Sequence, residues 1–133
     1  MAPAVAADVR RALTPHTTLI SVMHANNETG VVQPLRAVRD VAPDAYFHTD
    51  AVQTFGKIPF DVKVLGVDFA TLSAHKIHGP KGVGALFIRK GIDFKAHQHG
   101  GAQERNRRAG DGASSSNRNR ITSACPLPRI VAG

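Results

Sequence analysis

The sequence predicts an α/β domain on a mostly parallel sheet, and three observations predict it. Four short apolar, β-rich runs recur between residues 18 and 89, a helical stretch or a longer connection separates the first three, and polar clusters follow each of those three. Strands that alternate with helices or long connections, each reading as buried, imply a parallel sheet layered with helices. A length of 133 residues allows one domain, and 42% hydrophobic with 20% charged residues is ordinary for a chain that folds around a core.

Taken in order, D-V-R-R-A-L at 8–13 mixes helix formers with apolar residues until Thr14-Pro15 breaks the pattern, so a helix ends near Leu13. T-L-I-S-V-M-H at 18–24 reads as the first strand and runs into A-N-N-E-T-G at 25–30, a loop of side-chain hydrogen-bonding residues closed by glycine. Pro34 suits a helix start, and Leu35, Val38 and Val41 share one face before Pro43 stops it. Further strands follow at A-Y-F-H-T-D, 45–50, and V-D-F-A-T-L-S, 67–73, with a loop between them. A glycine-rich turn at 78–82 leads to a fourth, V-G-A-L-F-I-R, 83–89. From about residue 95 the character changes. Residues 97–120 hold no apolar side chain larger than alanine, which predicts a disordered basic C-terminal tail from about 110.

The net charge of +7 is unevenly placed: residues 1–89 carry nine Lys+Arg against seven Asp+Glu, and residues 90–133 carry eight against three. Six of those eight are arginines, Arg105, Arg107, Arg108, Arg118, Arg120 and Arg129, a pattern able to attract phosphate. No aromatic residue follows Phe94, so stacking platforms for bases are missing and nucleic acid is not the expected partner. No apolar run approaches the roughly 18 residues of a membrane span, and no export signal opens the chain, so a cytoplasmic location is expected. The single cysteine, Cys125, has no internal disulfide partner.

The chemistry-bearing residues gather where strands end. Asn27 follows the first run, Asp50 and Gln53 the second, and Ser73, His75 and Lys76 the third. In open α/β sheets ligands bind outside the carboxyl ends of the strands. Taken singly, Asp50 also suits a helix cap, Ser73 a turn, Asn27 and Gln53 a loop and Lys76 a solvated surface. His75, His78, His97 and His99 lack a cysteine pair or carboxylate at ligand spacing, so no metal site is predicted.

The segment V-D-F-A-T-L-S-A-H-K-I-H-G-P-K-G-V-G-A-L-F at 67–87 resembles the lysine signature of the class V aminotransferases, and H-K-I-H-G-P-K-G is similar to their cysteine desulfurase branch. M-H-A-N-N-E-T-G-V-V-Q-P at 23–34, H-T-D-A-V-Q-T-F-G-K at 48–57 and H-G-G-A-Q-E-R-N-R-R-A-G at 99–110 agree, in the family's order. The resemblance, over residues 10–110, implies part of the large domain of a pyridoxal 5'-phosphate (PLP) dependent transferase of fold type I, with residues 111–133 an unstructured tail. It further implies Lys76 as the catalytic lysine, which holds PLP and moves the substrate's alpha proton. Asp50 would pair with the pyridine nitrogen, Asn27 and Gln53 would donate to the phenolic oxygen, and Ser73 and His75 would reach the phosphate. The implied reaction converts L-cysteine to L-alanine and passes sulfur to an enzyme thiol. An acceptor or iron-sulfur scaffold and a homodimer are the implied partners.

The family's proteins are much longer, so the resemblance implies a central fragment, inactive alone, without the upstream phosphate loop, the ring-stacking histidine or the persulfide loop. Asp111 stands where the family continues toward a phosphate-binding threonine, and a carboxylate there repels phosphate. The abrupt change after Gly110 reads as translation in a shifted frame, which the coding DNA beyond codon 110 tests. Cys125 lies too soon after Lys76 for the family's nucleophile, and nothing beside it predicts a depressed thiol pKa. Selenocysteine lyase or another class V enzyme, and a non-enzymatic basic module binding nucleic acid through its arginines, stay open as alternatives.

Overall fold

The structure is a computed structural model and describes residues 4–96 and 99–109. The expectations for residues 110–133, Cys125 included, and for His97 lie outside the described residues. The elements run α1 (Ala4–Ala12), β1 (Leu19–Met23), α2 (Leu35–Val41), β2 (Tyr46–Asp50), α3 (Val62–Leu65), β3 (Phe69–Ser73), a 3-10 turn (Ala74–Ile77) and β4 (Gly84–Ile88). A last short turn, Gln103–Asn106, passes through positive φ at Glu104, Arg105 and Asn106.

The sheet order is β1-β2-β3-β4, with β1, β2 and β3 parallel and β4 antiparallel to β3. The connection from Ser73 to Gly84 is shorter than the dozen or so residues a parallel return needs, so the chain doubles back. Register places Ser21, His48, Phe69 and Ile88 in one row and, two residues on and so on the same face, Met23, Asp50, Thr71 and Leu86 in another.

Alternation then decides which side chains meet the helices. Ile20, Phe47 and Ala70 lie on the face that packs against Ala6 of α1, Leu35 and Val38 of α2 and Val62 of α3. Phe47 and Leu35 are each 1% exposed, and burying side chains of that size stabilises a fold by roughly 1.5–3 kcal/mol apiece. On the other face Leu19, Met23, Tyr46 and Leu86 are exposed. That corrects the expectation of buried strands: apolar residues on both faces are covered only where both faces carry a layer, and among the described residues the helices cover one.

The expected plain loop between β2 and β3 contains α3. Asp61 caps it, accepting from the amides of Lys63 (2.8 Å) and Val64 (3.2 Å), and Gly66 closes it with a left-handed φ of 71°. The amino edge of the sheet is held by charge. The buried Asp68 carboxylate accepts from Arg39 and from the amide of Phe47 (2.9 Å), while Arg89 stands 2.8 Å from its Oδ1 as a close charge contact. Arg39 also donates to the carbonyls of Gly66 and Ala45, both at 2.8 Å, and so ties α2, β2 and the start of β3 together.

Candidate functional site

The carboxyl ends of β1, β2 and β3 and the start of β4 form one rim. Three connections rise from it: residues 24–33, the turns at 51–58 and the stretch 74–83. All six residues singled out in the sequence lie on these connections or at the strand ends that lead into them.

Asp50 is the last residue of β2 and half-buried. Its Oδ1 accepts from the amide of Val52 (2.9 Å), and no described residue donates to its second oxygen. Gln53 is half-buried one turn later. Asn27 is exposed at the tip of a small hairpin closed by the Ala25–Val32 bridge. Its neighbour Asn26 builds that tip, its Oδ1 accepting from the amides of Glu28 (2.9 Å) and Thr29 (3.0 Å).

Ser73 ends β3, and its hydroxyl lies 2.7 Å from Nδ1 of His75, the one direct contact among the six. Lys76 follows in the 3-10 turn, half-buried, and no ion pair reaches it among the described residues. The turn is sterically exact in its needs. His78 ends it with a left-handed φ of 64°, and the amide of Gly79 then donates to the Ala74 carbonyl at 2.8 Å. A Cβ on Gly79 would fall 2.8 Å from the Ala74 Cβ, so only glycine fits that approach.

Two polar pairs, one mid-strand below the rim and one at it, went unread in the sequence. Ser21 and His48 share a register row on the open face, with Ser21 Oγ 2.7 Å from His48 Nδ1. Burial lowers the His48 pKa below its usual value, and the nearby Asp50 carboxylate opposes that shift. His24 is buried, and its Nδ1 lies 2.9 Å from the Thr54 hydroxyl; burial lowers its pKa as well. The period-two spacing of His48 and Asp50 was visible, but their partners depend on register and loop packing.

The donor set suits a phosphorylated pyridine aldehyde such as PLP. A carboxylate oxygen with no protein donor among the described residues, an amine with no ion pair and a hydroxyl–imidazole pair stand at one rim. By contrast, a cavity of about 530 Å³ lined in part by Arg36, Arg39, Asp40, Asp68 and Arg89 lies at the amino edge, away from these residues, and there Asp40 pairs with Arg36 and Asp68 with Arg39 and Arg89. Among the described residues, no group of three or more His, Cys, Asp or Glu is placed to hold a metal ion, and no helix is long and apolar enough to cross a membrane.

Comparison with known proteins agrees with the motifs. Cysteine desulfurase IscS of Dictyoglomus turgidum is 56% identical over 105 residues, 77% of this chain and 27% of that protein. The cysteine desulfurase IscS of Methanosarcina thermophila is 52% identical over 105 residues, covering 77% and 26%. Among solved structures, SspA in complex with cysteine matches with a TM-score of 0.75 and 44% identity over 79% of this chain and 31% of that one. A NifS-like protein matches at 0.72 and 46%, over 79% and 30%. The chain thus spans about a quarter of the length of these curated relatives. The description of the class-V aminotransferases matches residues 4–120, and on that extent the chain belongs to the class-V aminotransferase family.

Proposed function

We propose that this chain carries the lysine-bearing part of a PLP-dependent cysteine desulfurase, with L-cysteine as the amino-acid substrate. The observation that carries the reading is the placement of Asp50, Ser73, His75 and Lys76 on two adjacent parallel strands and the turn that follows them, at one rim. The identity to cysteine desulfurases supports the choice of substrate.

When bound, the cofactor supplies an electron sink for the bond broken at the substrate's alpha carbon. Asp50 would hold a proton on the ring nitrogen through charge and hydrogen bonding, with the Val52 amide fixing its other oxygen. The Ser73–His75 pair would bind phosphate, Asn27 and Gln53 would donate to the phenolic oxygen, and Lys76 Nζ would hold the aldehyde carbon and then carry the alpha proton. Residues 1–110 form the cofactor-binding part in this reading and 111–133 an appended tail. Sulfur transfer would use a thiol and an acceptor, an iron-sulfur scaffold among them. A cytoplasmic homodimer is the setting that the reading implies, and turnover by this stretch alone is not expected.

Borohydride trapping tests the reading, because reduction makes even weak capture permanent. Incubated with PLP and reduced, the chain should be labelled at Lys76 ahead of Lys57, Lys63, Lys81, Lys90 and Lys95, as read by peptide mass mapping. Equal labelling of all six lysines would overturn it.

A further inference from the structure

We propose that His24, in its neutral form with the proton on Nδ1, is a positioning residue that locks the exit of β1 to the exit of β2 and so sets where Asp50 and Gln53 stand. The value of this lock to a cofactor rests on the function proposed above; the lock itself rests on geometry. His24 is the first residue past β1 and is 4% exposed. Its amide donates to the Asp50 carbonyl at 2.8 Å, and its own carbonyl accepts from the Gln33 amide at 2.8 Å, which closes the hairpin that bears Asn27. Its ring reaches across to Thr54, in the turn that holds both Gln53 and the Val52 amide bound to Asp50. One side chain therefore joins the connections after two neighbouring strands.

The tautomer rests on the hydroxyl. Thr54, 3% exposed, reaches the Ala51 carbonyl with its hydroxyl at 3.3 Å, which leaves its oxygen free to accept from Nδ1 of His24 at 2.9 Å, the arrangement proposed here. The ring lies 5.6 Å from that of Phe60, which packs edge-on against Phe55. A second proton would put a charge among apolar rings and an N–H on Nε2 for which no described residue supplies an acceptor. The titratable groups on the surrounding elements are Glu28 in the hairpin, Tyr46, His48 and Asp50 on β2, Lys57 in the 51–58 turns and Asp61 before α3, and none forms an ion pair with the ring. Burial lowers the His24 pKa, so the lock is set at neutral pH and released in acid.

Two measurements on the full chain test this without PLP. Long-range proton–nitrogen NMR at neutral pH should show His24 protonated on Nδ1; a proton on Nε2 instead would overturn the proposal. Thr54→Val keeps the shape and removes the acceptor. It should speed hydrogen exchange at the His24 and Val52 amides roughly fivefold to tenfold, relative to the Asp68 amide at the far edge, the scale of one ordinary hydrogen bond. Thr54→Ser should restore slow exchange, which a general packing defect would not do. Unchanged exchange in Thr54→Val, or failed rescue by Thr54→Ser, would contradict the lock. Expected tautomer and exchange in a chain that traps no PLP at Lys76 would support the lock and count against the cofactor reading.

Discussion

The two edges of the sheet treat charge in opposite ways. At the amino edge Asp68, 1% exposed, is gripped by two arginines and a backbone amide, and Arg36 pairs with Asp40. At the carboxyl rim Asp50 accepts one backbone bond, and Lys76 has no ion pair among the described residues. Charges that satisfy one another hold a fold together; charges left open are available to a ligand. The cavity at the amino edge is lined largely by these paired charges, so its volume does not mark the site.

Removing an acid at each edge tests that contrast, and Asp68→Ala should show the largest effect. It strands Arg39, whose guanidinium is mostly buried, and should cost about 3–5 kcal/mol, read as a steep fall in the urea midpoint. Asp50→Asn keeps an acceptor for the Val52 amide and should stay within about 1 kcal/mol of the unchanged chain. Equal losses at the two positions would erase the distinction between the edges.

Gly79→Ala comes next. The clash with Ala74 should cost about 1–3 kcal/mol and, by shifting the turn, remove the preference of Lys76 in PLP trapping. Retained preference would show that the turn is not what places the amine.

Acid should have a gentler effect. His24 and His48 are harder to protonate in the fold than in the unfolded chain, where their pKa is about 6.5. The unfolded chain therefore binds more protons below that pH, and stability falls as pH drops from about 6.5 toward the lowered values. His24→Gln should flatten part of that slope in urea titrations run across the range. Lys76→Ala should change stability least, by less than about 0.5 kcal/mol, while abolishing specific trapping.

Much of this was legible in the sequence because local rules governed it. The four strands follow from β-rich apolar runs bounded by turn residues, and α2 from Pro34, the Leu35–Val38 face and Pro43. The rim positions of Asn27, Asp50 and Lys76 follow from the strand ends. What escaped depends on contacts between distant segments. The one-turn α3 is too short for periodicity to announce, and its Asp61 cap and Gly66 stop are common loop residues. The Ser21–His48 and His24–Thr54 pairs needed the register, and the Arg39–Asp68–Arg89 cluster spans three elements. The exposed sheet face could not be foreseen from apolar runs, since what covers a strand is not written in the strand.

In the function proposed above, Asp50 and Lys76 face one ligand at the rim. With PLP labelled by nitrogen-15 in its ring and trapped on the chain, Asp50→Asn should move the ring-nitrogen shift from the protonated toward the unprotonated range while Lys76 remains the labelled lysine. An identical shift in both proteins, or capture at a different lysine, would contradict the account.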